Sequence, residues 1–253
     1  MTHTPDDPMR AAQTNMRPEL PKRFYRDVTV IAVEGGHAIA LDGRTARTPA
    51  RAPLVVARAM VAEGLAAEWR AVADRIDPAL MPLTRLACSA IDGVAHARAP
   101  VAAEIARYAG TDLVCYRADR PTELARRQAL AWDPVLAWAG TRLGVRLAVT
   151  TGIGHVGQPD GLATAVLAAL PGEPLALAAV HTVTTLTGSA LLALALAEGH
   201  LDVPSVWAAA HVDEDWNIEL WGQDAEAAAR RAFRFSDMDA AGLVLEASRP
   251  SSE

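Results

Sequence analysis

The chain has 253 residues with a hydrophobic fraction of 51%, enough apolar material for one large domain or two modest ones. Its formal net charge is −6, so its long-range field repels phosphate backbones and anionic headgroups and sets aside nucleic acid and membrane surfaces as partners. Aromatics are only 5% and the apolar content is mainly Ala, Leu and Val, which favours packed helices; Cys88 and Cys115 form no CxxC, so no disulfide framework or zinc site is indicated and a reducing compartment fits.

Residues 1–20 carry Asp6, Asp7 and three prolines around no apolar run, and read as a loose tail that is neither a secretory signal nor a transit peptide. From Val28 to Val33 the composition is that of a strand; Gly35-Gly36 turns the chain, and His37 to Leu41 gives a second strand. Asp42-Gly43 is a hairpin signal, and Thr45 to Thr48 is expected to pair as a third strand. So small a meander needs a cover on one face. Val61, Leu65, Trp69, Val72 and Ile76 supply it, falling at helical spacing until Asp77-Pro78 ends the helix.

Beyond Pro82 the pattern becomes helical. Expected helices run about Thr84 to His96, Ala99 to Ala109, Pro121 to Gly140, Asp160 to Leu170, Leu175 to Leu186, Ser189 to Glu198, Pro204 to Leu220, Asp224 to Phe235 and Asp237 to Ser248, with short strands at Leu113 to Tyr116 and Val145 to Thr150. The fold class is therefore α+β: a tail over 1–20, a β-rich N-terminal domain with one covering helix over 21–82, and an α-helical C-terminal domain over 83–253. The uncharged stretch Leu175 to Ala197 is long enough to span a bilayer, but the polar residues around Thr187-Gly188-Ser189 fit two buried helices meeting there.

Gly152, Gly154 and Gly157 spell GxGxxG, yet Gln158-Pro159 follows and the helix starts near Asp160, so the glycines do not open a helix onto a pyrophosphate. No dinucleotide cofactor is expected. The segment Trp207 to Trp221 is the most informative. At helical spacing Trp207, His211, Glu214, Ile218 and Trp221 share one row, so one acid interrupts an aromatic stripe. Glu214 is open to three roles: a structural partner of His211, a member of a metal or acid/base cluster with His211, Asp213 and Asp215, or part of a recognition surface with the tryptophans. Adjacent acids point about 100° apart on a helix, which weighs against one ion. Trp69 sits on the apolar stripe as a core residue, although an indole N–H needs a partner.

The strings KRFYRDV from Lys22, LDGRTARTP from Leu41, Glu68-Trp69, MPLTRLACSAID from Met81, TDLVCYRA from Thr111, QALAWDPVLAW from Gln128, LTGSALLALAL from Leu186 and DEDWNIELWGQDAEA from Asp213 occur in order. Together they closely resemble the F-type ATP synthase assembly chaperones that protect the alpha subunit of the catalytic sector, known from mitochondria and alphaproteobacteria. The resemblance implies a non-enzymatic protein that binds the unassembled alpha subunit and shields the surface later taken by the beta subunit. It implies no cofactor, no nucleic acid and no membrane insertion, and a bacterial cytoplasmic location, since mitochondrial relatives carry a presequence. It places the tryptophan of the family's Glu-Trp motif on Trp69 and the important late acid on Glu214, with Asp213, Asp215, Trp216, Glu219 and Trp221 completing the expected docking set. The rival expectation is an enzyme with a small-molecule or metal site at His211 and the adjacent acids.

Overall fold

The computed structural model describes residues 19–250. The expected tail over 1–20 therefore lies almost wholly outside the described residues. β1 (Val28–Val33) and β2 (Gly36–Leu41) form an antiparallel hairpin in unbroken register from Val28 opposite Leu41 to Val33 opposite Gly36. The Asp42-Gly43 signal makes the next turn: both residues have positive φ (48° and 77°), the conformation that a two-residue hairpin turn demands. The Asp42 carboxylate also accepts from the Arg26 and Asp27 amides at 3.0 and 2.8 Å. β3 (Arg44–Thr45) then pairs with β2, as does β4 (Val55–Val56), so β2 is the central strand.

The third strand is shorter than expected, and a fourth that the sequence pattern did not signal lies beside it. After Ala46 donates to Ile39 O, the chain turns through Thr48 to Arg51, whose amide donates to Thr48 O at 2.8 Å. Gly36 is obligatory next to β4: a Cβ there would lie 2.3 Å from Val56 O.

The covering helix α1 (Ala59–Ala71) buries Val61, Leu65 and Ala66 against the sheet. It is a turn shorter than the apolar spacing indicates. Val72 is already extended, Arg23 Nη1 donates to Val72 O at 2.5 Å, and Ile76 N–H donates to Pro21 O at 2.8 Å. Residues 72–76 thus run alongside 21–23, so backbone pairing overrides the last positions of the stripe.

The helical part comprises α2 (Pro82–Asp92), α3 (Arg98–Ala109), α4 (Thr122–Leu143), α5 (Leu162–Ala169), α6 (Pro174–Thr187), α7 (Ala190–Ala197), α8 (Val203–Ala210), α9 (Val212–Trp221) and α10 (Ala225–Ser248). Among the described residues, ten α-helices following an antiparallel sheet make the fold α+β, as the sequence indicates. The Leu175 to Ala197 stretch is the expected helix pair. Gly188 takes the left-handed conformation that ends α6, and Ser189 Oγ accepts from Leu192 N–H at 3.0 Å to cap α7. Every residue from Ala190 to Leu196 is buried, each leucine contributing about 1.5–3 kcal/mol by leaving water. No described helix is long and apolar enough to cross a membrane.

Three further expectations change. Residues 113–115 are a 3-10 turn, and the strand pairing is a short parallel one between β5 (Tyr116–Arg117) and β6 (Thr150–Thr151). The two last expected helices, ending at Phe235 and beginning at Asp237, are one, α10: Ser236 between them donates Oγ to Phe233 O within the helix at 2.7 Å and caps no new start. The expected helix Pro204 to Leu220 is two, α8 and α9. Buried apolar residues from Tyr25 to Leu245 form one contiguous cluster.

Candidate functional site

The break between α8 and α9 has a specific cause. His211 Nδ1 lies 2.7 Å from Trp207 O, and since a carbonyl only accepts, Nδ1 carries the proton. The ring thereby takes the acceptor that the His211 amide would use in an α-helix, and that amide turns instead to Ala208 O. His211 is buried, its ring tilted 34° against the Trp207 ring at 3.9 Å, and burial lowers its pKa, so it is a neutral structural hinge. Trp207 meets Phe235 of α10 edge-on at 5.2 Å.

From this hinge α9 lies across α4 and α10, held by its own acids. Asp213 accepts from the buried Gln128 Nε2 at 2.7 Å. Glu214 lies 3.7 Å from His211 Nε2 and 3.8 Å from Arg231, while Arg231 sits 2.5 Å from Asp215. Arg127 binds Glu219 at 2.7 and 2.8 Å, and its guanidinium stands over the Trp216 ring at 4.9 Å. Five of the seven expected docking residues are thus brought together on one helix and anchored to two others. The sixth, Trp221, is 84% exposed at its end beside Leu220 at 54%, an apolar tip of a polar helix.

The three acids do not converge. Asp213 faces α4, Asp215 faces α10 and Glu214 lies near His211 and pairs, at long range, with Arg231; among the described residues no group of three His, Cys, Asp or Glu side chains has metal-holding geometry. Gly152, Gly154 and Gly157 lie in the loop before α5, whose first residue is Leu162, so they present no helix N-terminus.

Trp69 stands apart. It projects from α1 onto the buried Tyr25 ring at 5.6 Å, and Tyr25 Oη donates to Trp69 O at 2.7 Å. Its Nε1 is buried with no partner among the described residues. No hydrogen bond, ion pair or ring contact among them links Trp69 to Glu214. Its neighbour in the Glu-Trp pair serves another purpose. The Glu68 carboxylate accepts from Leu83 N–H at 2.7 Å and from Thr84 N–H and Oγ1 at 2.8 and 2.7 Å. Glu68 therefore caps the start of α2 and ties the sheet side to the helices, and burial raises its pKa against those hydrogen bonds.

Sequence reasoning did not find the basic and amide partners of α9. Gln128, Arg127 and Arg231 are ordinary residues of distant helices, and only the fold brings them to the acids. Nor did it single out Leu220.

Comparison with known proteins supplies the frame for this geometry. The ATP12 chaperone protein family matches residues 22–140, which span the sheet, α1 to α3 and most of α4. The chain superposes on a candidate chaperone from Agrobacterium tumefaciens with a TM-score of 0.86 and 49% identity, covering 96% of this chain and 92% of that one. It superposes on Atp12 from Paracoccus denitrificans with a TM-score of 0.82 and 41% identity, covering 90% of this chain and 98% of that one. An aspartate-to-lysine mutant of that protein gives a TM-score of 0.82 and 40% identity. Sharing fold, sequence and length with a solved Atp12, the chain belongs to the ATP12 chaperone family.

Proposed function

We propose that the protein is an assembly chaperone of the F-type ATP synthase in a bacterial cytoplasm, binding the unassembled alpha subunit and shielding the surface destined for the beta subunit. The observation that carries this reading is the match to Atp12 over almost that protein's whole length. An orphan subunit exposes an apolar interface, which is an aggregation hazard until its neighbour arrives. A binder that covers it by mass action needs no catalytic cycle, because the neighbour's tighter binding displaces it.

In this reading α9 is the docking element of the helical part, residues 83–253. Trp221 and Leu220 are its apolar anchors, and Glu214 and Glu219 are half-exposed acids held in place by Arg231 and Arg127. Trp69 belongs to the β-rich part, residues 21–82, and acts by setting the surface around Tyr25. The test is light scattering of isolated alpha subunit diluted from denaturant, with and without the chaperone. Wild type suppresses aggregation at near-stoichiometric ratio, and Trp221→Ala and Glu214→Ala do so less well. Equal protection by both variants removes α9 from the site; no protection by wild type, with no alpha subunit in a tagged pull-down, overturns the function.

A further inference from the structure

Among the described residues β1 is an edge strand, since β2 carries β1 on one side and β3 and β4 on the other. Three hydrogen bonds fix which of its backbone groups face outward. Asp42 N–H donates to Asp27 O at 3.0 Å and Ala46 N–H to Ile39 O at 2.8 Å, so β1 bonds to β2 through Asp27, Thr29, Ile31 and Val33. Val28, Val30 and Ala32 then face away, and Arg70 Nε confirms the parity by donating to Val28 O from the outer side at 3.2 Å. Among the described residues, the N–H and C=O of Val30 and Ala32 have no partner.

Such edges are ordinarily blunted by a charge, a proline, a bulge or short length. This one is not. Its six residues, VTVIAV, contain no charge, Pro or Gly, five are β-branched, and the register with β2 has no bulge. A strand of this composition with free outward groups is a template for another strand.

We propose that the outer edge of β1 takes an extended, uncharged segment of the alpha subunit as an added strand, hydrogen-bonded to Val30 and Ala32. The inference rests on the function proposed above and names how the β-rich part contributes to it. A second copy is a poorer occupant. Edge-to-edge pairing of two such strands supplies about four hydrogen bonds and a few hundred Å², short of the roughly 1,200 Å² that a stable dimer buries. A client held elsewhere on the chaperone needs only this increment. The free groups lie between Arg70 and Glu34, so a segment without charge at its middle fits.

The test uses two full-length variants. Ala32→Pro removes an outward N–H that β2 does not use, so the sheet survives it; Ala32→Lys places a charge on the edge and keeps the N–H. Each is expected to need about tenfold more chaperone for equal protection of the alpha subunit, as loss of one or two net hydrogen bonds implies. The unfolding midpoint stays within a few degrees, and in wild type the Val30 and Ala32 amides slow their hydrogen exchange only when alpha subunit is added. Undiminished protection by both variants overturns the inference. So do amides that are already slow in the free monomer, or a wild-type dimer that Ala32→Pro dissolves, which assign the edge to this chain's own residues or to a second copy. If wild type gives no protection at all, the proposed function itself fails, a result distinct from equal protection by wild type and variants.

Discussion

The two regions that the family resemblance marks, around Trp69 and around Glu214, are built in opposite ways. Trp69 leans on the buried Tyr25 from within the sheet side, its indole N–H unpaired among the described residues, and its neighbour Glu68 commits its carboxylate to the first turn of α2. Glu214 sits on a helix with no fully buried residue, held at the surface by ion pairs that leave Trp221 and Leu220 in solvent. In the proposed reading, function and folding are therefore fused in the first region and separable in the second.

This contrast fails if Trp69 carries little stability. Trp69→Ala is expected to cost about 3–5 kcal/mol, measured as a shift in the urea unfolding midpoint, because a large ring is removed from the core edge. Trp69→Phe keeps most of the packing and deletes the orphan donor, so its cost is much smaller than that of the alanine. A loss under about 1 kcal/mol for the alanine variant reassigns Trp69 to a purely recognition role.

Asp112 offers the next largest effect and a control away from both regions. It is fully buried at the start of α7, accepting from Leu191 N–H at 3.0 Å and Val114 N–H at 3.3 Å. Burial outweighs these bonds and pushes its pKa up to about 6. A carboxyl whose folded pKa exceeds its unfolded one stabilises fully below the unfolded value, and that contribution is lost as pH rises through about 6. Comparing unfolding midpoints of wild type and Asp112→Asn from acid to neutral pH isolates this group. Wild type is expected to lose on the order of 2–3 kcal/mol relative to the variant across that window. Parallel pH profiles would falsify the assignment. Glu68→Ala follows at about 2 kcal/mol, the loss of a cap plus the donors it leaves unpaired.

What the sequence disclosed follows the same division. Periods carried by many residues survived: the β1–β2 hairpin with its Asp42-Gly43 turn, and the α6–α7 pair punctuated at Gly188-Ser189. Local signals failed where a distant partner decided the outcome. Ile76 fits the α1 stripe, but residues 72–76 pair with 21–23. The boundary expected between Phe235 and Asp237 is mid-helix, and His211 continues the helical row yet breaks it by donating its ring N–H to Trp207 O. The row itself was legible because the break costs little rotation: His211 still reaches both Trp207 and Glu214. The arginines that fix the acids were illegible, since nothing local distinguishes Arg127 or Arg231 from any surface arginine.

The smallest expected stability effects fall on α9, where the difference between the two regions is tested most finely. Glu214 is 39% exposed, His211 beside it is neutral, and its contact with Arg231, at 3.8 Å, is long for an ion pair. Exposed pairs contribute about 0–1 kcal/mol, so Glu214→Ala is expected to shift stability by less than that, and Trp221→Ala by less still because the ring is already in water. Both variants should nevertheless lose protection of the alpha subunit, as anchors of an interface do when truncated. Glu214→Gln refines the point, since it keeps the shape and removes the charge. If the glutamine variant protects like wild type while the alanine does not, the partner reads the side chain's reach; if both fail, it reads the negative charge that Arg231 holds in place.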